Sequence, residues 1–204
     1  HSIIRGGTDG AIWGGEFLLA GYGHFRRAAH LRYVPLAGGE AAVRQPWRTA
    51  LSHAIDAQCD PNDCRLPVSS TQIGNVRRMI ARRLNSPLSS SAGRLFDAVA
   101  ALLGVRSTVT YEGQAAVELE WLATGLERDR QYAFSLGDNR PRTSQCAWEI
   151  DTRPTIRDIV TDLGRGVDRQ RIARRFHSTM AEIIVATCRR IRRDTRYNRV
   201  VLSG

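Results

Sequence analysis

The spacing of apolar residues changes along this chain. Between residues 10 and 36 they fall in short runs broken by glycine: Ala11-Ile12-Trp13, a Gly14-Gly15 break, then Glu16-Phe17-Leu18-Leu19-Ala20. Gly21-Tyr22-Gly23 supplies a turn, and Phe25 to Val34 returns with partial alternation. That pattern predicts a β-hairpin, closed by residues 35–39. From 40 to about 57 the period becomes helical, with Ala42, Val43, Trp47, Ala50, Leu51, Ala54 and Ile55 on one face. Residues 57–70, rich in Asp, Pro and Ser, read as loop. A second helix is expected over 73–84, where Val76, Ile80 and Leu84 recur every fourth residue.

The stretch 85–91 reads as a serine-rich loop, and a third helix opens at Ser91 or Ala92. Leu95, Phe96, Val99, Ala100, Leu102 and Leu103 form its buried stripe, and Gly104 suits its C-terminal cap. Tyr111-Glu112-Gly113 leads into a fourth helix over 114–123, with Ala115, Leu119 and Leu122 inward. Residues 124–145 look irregular, and 129–146 is expected to be a long, mobile loop. A strand is expected over 148–151, and helices over 156–163 and 168–193. The last of these would bury Ile172, Phe176, Met180, Ile183, Ile184 and Thr187 or Cys188. Arg199-Val200-Val201-Leu202 reads as a buried strand running into Ser203-Gly204.

Composition narrows the class. The chain has 204 residues, 42% apolar and 25% charged, as in soluble globular domains with a real core. No apolar run is long enough to span a bilayer and no secretory signal is visible, so the expected compartment is the cytoplasm. The chain does not begin with Met and stops just after an apolar run, which reads as a segment of a longer polypeptide. Net charge is +10 and pI about 10.6, and every basic side chain counted there is Arg, with no Lys at all. Nucleic-acid binders usually mix the two, since Lys is a good phosphate contact. The charge gathers late, at Arg189, Arg190, Arg192, Arg193, Arg196 and Arg199, where cations complement a helix C-terminus. That segment lacks interleaved aromatics, and the pattern favours a solvated helix end over an RNA surface. Of the 4 cysteines, Cys59 and Cys64 flank a turn, while Cys146 and Cys188 stand alone. No second pair completes a zinc set, and reduced thiols are expected. His1, His24, His30, His53 and His177 lack the spacing that puts two ligands on one helix face.

Four segments could carry chemistry. Ser89-Ser90-Ser91-Ala92-Gly93-Arg94 places hydroxyls and free N–H groups at a helix start, where a phosphate or ribose can sit; an ordinary helix cap is the plain alternative. Glu112 and Gln114 flank Gly113 and could hydrogen-bond an exocyclic amine, a ribose or a carbamoyl group; otherwise Glu112 simply answers a helix N-terminus. In Trp13-Gly14-Gly15-Glu16 the paired glycines suggest a bulge or close backbone packing, with Glu16 either an acid or ligand or a charge on the strand surface. Leu202-Ser203-Gly204 begins what could be a phosphate-gripping turn. No Ser-His-Asp, Walker or dinucleotide fingerprint is present.

With these residues in view, the chain resembles the HypF carbamoyltransferases of [NiFe] hydrogenase maturation. The likeness runs through Thr8-Asp9-Gly10-Ala11-Ile12-Trp13-Gly14-Gly15-Glu16-Phe17, Ala29-His30-Leu31, Val34-Pro35-Leu36, Gly38-Gly39-Glu40 and Pro46-Trp47-Arg48. It is most specific at Leu84-Asn85-Ser86-Pro87-Leu88, Ser90-Ser91-Ala92-Gly93-Arg94-Leu95-Phe96-Asp97 and Tyr111-Glu112-Gly113-Gln114-Ala115-Ala116. Arg175-Phe176-His177 and Val201-Leu202-Ser203-Gly204 close it, and residues 128–147 match most poorly.

The resemblance implies an α/β fold: part of an actin/sugar-kinase-like (ASKHA) ATPase domain, helix-rich with an N-terminal β-hairpin. Residues 1–204 would form most of the second half of the carbamoyl-transfer domain. The acylphosphatase-like, zinc-finger-like and adenylate-forming domains would lie elsewhere. It implies transfer of a carbamoyl group from carbamoyl-adenylate, made from carbamoyl phosphate and ATP, to the C-terminal Cys of a HypE-like acceptor, on the route to the iron cyanide ligands. Ser90, Ser91, Gly93, Arg94 and Asp97 resemble the family's nucleotide-side loop and helix. Glu112, Gly113 and Gln114 resemble its second signature, and Ser203 and Gly204 the start of its final phosphate turn. A divalent metal, Fe or Zn, is implied in the complete domain, with ligands outside this chain: the paired histidines would precede residue 1, and Ser2-Ile3-Ile4-Arg5 stands where the family has an acidic Asp-Gly-Thr-Gly turn. On this reading the segment is inactive alone. A non-catalytic truncated remnant or scaffold, and a basic nucleic-acid module, are the rival readings; neither nucleic acid nor membrane is an expected partner.

Overall fold

The computed structural model describes residues 7, 9–21, 23–138 and 148–203. His1, Ser2 to Arg5, Thr8, Tyr22, Cys146 and Gly204, all used in the expectations above, lie outside them. The expected hairpin forms from β1 (Glu16–Ala20) and β2 (Phe25–Leu31), antiparallel with a register shift between Phe17 and Leu18. Two-residue β3 (Val34–Pro35) follows. Next comes a helical run, α1 (Glu40–Arg44), α2 (Pro46–Asp56) and α3 (Ser70–Ala81), before two-residue β4 (Leu88–Ser89). Then come α4 (Ala92–Leu102), α5 (Gln114–Ala123), β5 (Ser135–Asp138), β6 (Trp148–Asp151), α6 (Arg153–Gly164) and α7 (Arg169–Thr195).

The main sheet has the order β1-β2-β6-β5. β6 joins β2 in parallel and β5 antiparallel, so β2 is an interior strand. That explains why Ala28 to Leu31 are all buried rather than alternating. β3 pairs antiparallel with β4, and Ile12 forms a parallel bridge to Ser89. α4 packs on α2 and α5, and α5 on α7. Leu95, Val99, Leu119, Ile150, Ile156, Ile172, Phe176 and Ile183 are among the fully buried side chains of this core.

Several expectations need correction. The helix expected over 40–57 is two helices. Pro46 has no N–H to continue α1, so the chain breaks at Gln45 and Pro46 starts α2. The second helix begins earlier than its apolar spacing suggests, because Ser69 and Gln72 form a reciprocal capping box. The region expected to be a long mobile loop is held along its described part. The Tyr132 hydroxyl donates to Asp162 at 2.9 Å, Asp129 pairs with Arg171 and Arg175, and β5 completes the sheet edge. Residues 139–147 lie outside the described residues. The buried strand expected at 199–202 is irregular and exposed: Val201 is 90% and Leu202 74% accessible. An apolar run becomes a buried strand only beside a partner, and no described strand pairs with it.

Candidate functional site

The Gly14-Gly15 break lies against the loop that starts α4. The Ser90 N–H donates to the Ile12 carbonyl at 2.9 Å and the Ala92 N–H to the Gly14 carbonyl at 3.1 Å. A Cβ on Gly15 would stand 2.3 Å from the Ser90 carbonyl oxygen, so only glycine permits this approach. Close backbone packing is therefore the reason for the paired glycines.

Glu16 is neither a charge on the strand surface nor free. Its side chain is 8% exposed, and its Oε2 accepts from the Gly14 and Gly15 N–H groups at 2.5 and 2.8 Å. Its Oε1 takes Arg27 Nη2 at 2.7 Å and the Ser90 hydroxyl. Arg27, itself buried, also reaches Asp9 at 3.0 Å and Tyr33 at 2.5 Å, and lies 4.1 Å from the centre of the Trp13 ring. Asp9 further accepts from the Tyr33 hydroxyl, Trp13 Nε1 and the Ala11 N–H. Partial burial opposes ionisation of Asp9, but these donors and the Arg27 charge outweigh it and hold its carboxyl down at about 2. Burial and the bond to Asp9 push Tyr33 up to about 12. Burial lowers His30, whose ring stacks 4.7 Å from Tyr33. Arg27 and Tyr33 were not singled out by the sequence. Asp9 is marked in the sequence only by the family motif, His30 by that motif and by the survey of histidines, and a strand arginine carries no spacing signal of its own.

Beyond this network the loop turns into α4. Ser91 caps the helix, its Oγ accepting from the Arg94 N–H at 3.4 Å. Ser90 is buried and its hydroxyl engaged, whereas Ser91 is half-buried and Gly93 exposed. Arg94 and Asp97 are both buried, Nη1 to Oδ2 at 3.0 Å. The contact is electrostatic rather than hydrogen-bonded, because the sealed Nη1 meets no acceptor in hydrogen-bonding geometry. Burial drives the Asp97 carboxyl up to about 6, Arg94 pulls it back, and Glu112 raises it further.

The second signature arrives beside Arg94. Glu112 Oε1 lies 4.0 Å from Arg94 Nη2 and is 69% exposed, so screening leaves little pairing energy. Gly113 has φ +83, and a Cβ there would meet nothing, so its glycine serves the backbone turn alone. Gln114 is buried: its carbonyl accepts from the Thr110 N–H and hydroxyl, and its amide donates to Glu118 at 3.1 Å. Ser91, Gly93, Arg94, Asp97, Glu112 and Gln114 thus gather where α4 and α5 begin. Ser203 is exposed beyond α7, and Gly204 lies outside the described residues.

A separate surface cavity of about 350 Å³ is lined by Asn62, Asp63, Arg65, Val160, Thr161 and Gly164. None of those residues belongs to either cluster, and its lining holds no convergent set of reactive groups. Cys59, Cys64 and Cys188 are free thiols; burial pushes Cys64 up to about 12, away from thiolate chemistry. Among the described residues no three His, Cys, Asp or Glu side chains are placed to hold a metal ion. No described helix is long and apolar enough to cross a membrane.

Mixed α/β architecture and a serine–glycine loop against a buried Arg–Asp pair define the class, and the comparisons identify it. Residues 6–204 match the family model for the second subdomain of the carbamoyltransferase Kae1-like domain. Carbamoyltransferase HypF2 of Cupriavidus necator is 40% identical over 199 residues, covering 88% of this chain and 24% of the relative. HypF of Rhodobacter capsulatus is 37% identical, covering 97% and 25%. The crystal structure of a full-length HypF in its phosphate- and nucleotide-bound form superimposes with a TM-score of 0.87 at 37% identity, covering 98% of this chain and 30% of that one. HypF of T. kodakarensis gives a TM-score of 0.75 at 28% identity, covering 93% and 25%. This chain belongs to the HypF carbamoyltransferase family, and it spans about a quarter of the length of the curated relatives it matches.

Proposed function

We propose that this chain supplies a nucleotide-contacting part of a carbamoyl-transfer domain with the actin/sugar-kinase-like ATPase fold, working in the cytoplasm during [NiFe] hydrogenase maturation. The observation that carries this reading is Arg94: a buried guanidinium with unspent donor capacity, beside the N-terminus of an 11-residue helix. A buried guanidinium at a helix start where the Gly93 N–H has no acceptor fits an anionic ligand such as a nucleotide phosphate. Ser91 and the backbone of Gly93 face the same end, and Gly93 leaves a ligand room to approach. Asp97 orients Arg94 from beneath. Glu112 is exposed beside it and can accept from a ribose hydroxyl or an amide. Gln114 and Ser90, whose polar atoms are already engaged, shape the cradle rather than fill it.

The substrate on this reading is carbamoyl-adenylate, which supplies an activated carbonyl to a thiolate, the C-terminal Cys of a HypE-like acceptor. Here the residues bind and orient; none of them is placed as the nucleophile. The divalent metal implied by the family finds no fitting donor set among the described residues. Alone, the chain is expected to hold nucleotide weakly and to transfer nothing.

Two-dimensional amide NMR of the chain titrated with ADP tests the assignment. The reading expects shifts confined to residues 90–97 and 110–114, abolished by Arg94→Met. Shifts centred on the cavity near Asn62 and Gly164, or unchanged by that substitution, would refute it.

A further inference from the structure

Residues 12–14 run beside residues 88–92 as a short parallel ladder, bridged at Ile12 and Ser89. The Ile12 N–H donates to the Leu88 carbonyl at 2.8 Å, the Ser90 N–H to the Ile12 carbonyl at 2.9 Å and the Ala92 N–H to the Gly14 carbonyl at 3.1 Å. The last of these bonds reaches the first residue of α4. A helix start leaves four N–H groups without helical acceptors. At α4 the Ser91 N–H donates to Ser89 Oγ at 3.2 Å, the Ala92 N–H to Gly14 and the Arg94 N–H to Ser91 Oγ at 3.4 Å. Gly93 alone of the four keeps its N–H without an acceptor. The Gly14 end of the ladder therefore sets where that N–H stands.

Two successive glycines restrain this end poorly. Sterics require them: besides the Gly15 approach, a Cβ on Gly14 would lie 3.0 Å from Ser91 Oγ. Yet glycine gives the backbone its widest conformational freedom. The Glu16 carboxylate supplies the restraint. Oε2 folds back over the Gly14 and Gly15 amides, while Oε1 crosses to the Ser90 hydroxyl and to Arg27 on interior strand β2. Arg27 Nη2 also lies 3.4 Å from Ser90 Oγ. One side chain thus ties the glycine pair, the serine loop and the sheet together.

Stability alone is a weak reason for a charge in this place. A buried ion pair holds a fold little better than apolar side chains of the same volume. Arg27 Nε, moreover, is buried without an acceptor, which weighs against stability. An apolar residue at 16 could not accept from two amides, a hydroxyl and a guanidinium at once. We propose that Glu16, held by Arg27, is a positioning residue for the nucleotide: through Gly14, Gly15 and Ser90 it fixes the Gly93 N–H where a phosphate docks. This inference rests on the nucleotide reading above and adds to it a part for two residues that lie outside the cradle.

Amide NMR titrations with ADP test it on the wild-type chain, Glu16→Gln, Ser90→Ala and the core control Ile159→Val. Glutamine turns an NH2 toward donors on one side or the other, and Ser90→Ala cuts the bridge to the loop while keeping Glu16 and Arg27. Ile159 is fully buried on α6, which packs on α2 and α7. In the wild type, ADP should move the Gly93 amide proton downfield, as a new hydrogen bond does. Glu16→Gln and Ser90→Ala should each weaken ADP binding about threefold or more, and Ile159→Val by less than about twofold. At saturating ADP the Gly93 signal of Glu16→Gln should no longer move downfield, whereas those of residues 112–114 still shift; a loss of stability alone would not divide the two ends of the ligand in this way. Circular dichroism verifies that each variant is folded, and Ser90→Ala carries the test if Glu16→Gln is not. Wild-type binding at Gly93 that both variants leave within about twofold would overturn the positioning role and leave the nucleotide reading standing. Equal weakening by Ile159→Val, or Gly93 and residues 112–114 failing together, would overturn it too. If ADP moves none of residues 90–97 in the wild type, the nucleotide reading falls and this inference with it.

Discussion

Removing Arg27 strands a carboxylate. Arg27 and Glu16 have side chains only 7% and 8% exposed, so solvent screens their pair little. Breaking a buried pair by deleting one partner costs about 3–5 kcal/mol. Arg27→Met keeps much of the side-chain volume, and Glu16 retains the Gly14 and Gly15 N–H groups and the Ser90 hydroxyl, which favours the lower end, about 3 kcal/mol. Asp9 is 40% exposed and adds little. Glu16→Gln keeps the shape but removes the charge and should cost about 2 kcal/mol. Because the two side chains meet directly, the double variant should be less destabilised than the sum, with a coupling of about 1–2 kcal/mol. Urea unfolding followed by circular dichroism, at unchanged m-value, measures all three. Additivity within about 0.5 kcal/mol would show that Arg27 and Glu16 act independently, and the account of the Gly14-Gly15 anchor would fail.

Three further outcomes are expected. Burial lowers His53 to about 4 from an unfolded value of 6.5. The unfolded chain therefore takes up the proton first, and the stabilisation present above pH 6.5 is lost as pH falls toward 4, by roughly 3 kcal/mol. His53→Gln should flatten that slope, and parallel curves for the two proteins would contradict the assignment; Asp97, raised to about 6, tilts both in the opposite sense. Gly15→Ala drives a methyl into the Ser90 carbonyl oxygen and should cost about 2–3 kcal/mol in urea unfolding, whereas a neutral result would mean the loop is not pressed there. Val201→Ser should change the stability read from urea unfolding by no more than about 0.5 kcal/mol, because the side chain is exposed; a large loss would show it packed.

The boundaries of α4 and α5 were legible because local chemistry fixes them. Ser91 caps one, and Gly113 in a left-handed turn starts the other. The hairpin and β6 were legible for the same reason. The Pro46 break was readable in principle, but the apolar face runs on across it from Ala42 to Trp47 and masked it. Sheet order was not legible, since the parallel pairing of β2 with β6 depends on contacts far apart in sequence. The Arg94–Asp97 pair lies within one helical turn, and family motifs pointed to it. Arg27 joins Asp9, Glu16, Tyr33 and Ser90 across four segments, and no local pattern encodes such a meeting.

The parallel seam between β2 and β6 has a consequence for biosynthesis. Arg32 and Glu149, paired at its end, are 117 residues apart. A ribosome adding about 5–20 residues per second needs roughly 6–23 s to make that intervening stretch. Throughout this interval the hairpin leaves the tunnel with the edge formed by Ala29, His30 and Leu31 uncapped, an open template for a neighbouring nascent chain. Shielding by a chaperone during translation, more than the final stability of the domain, would then set how much of it is recovered from a cell.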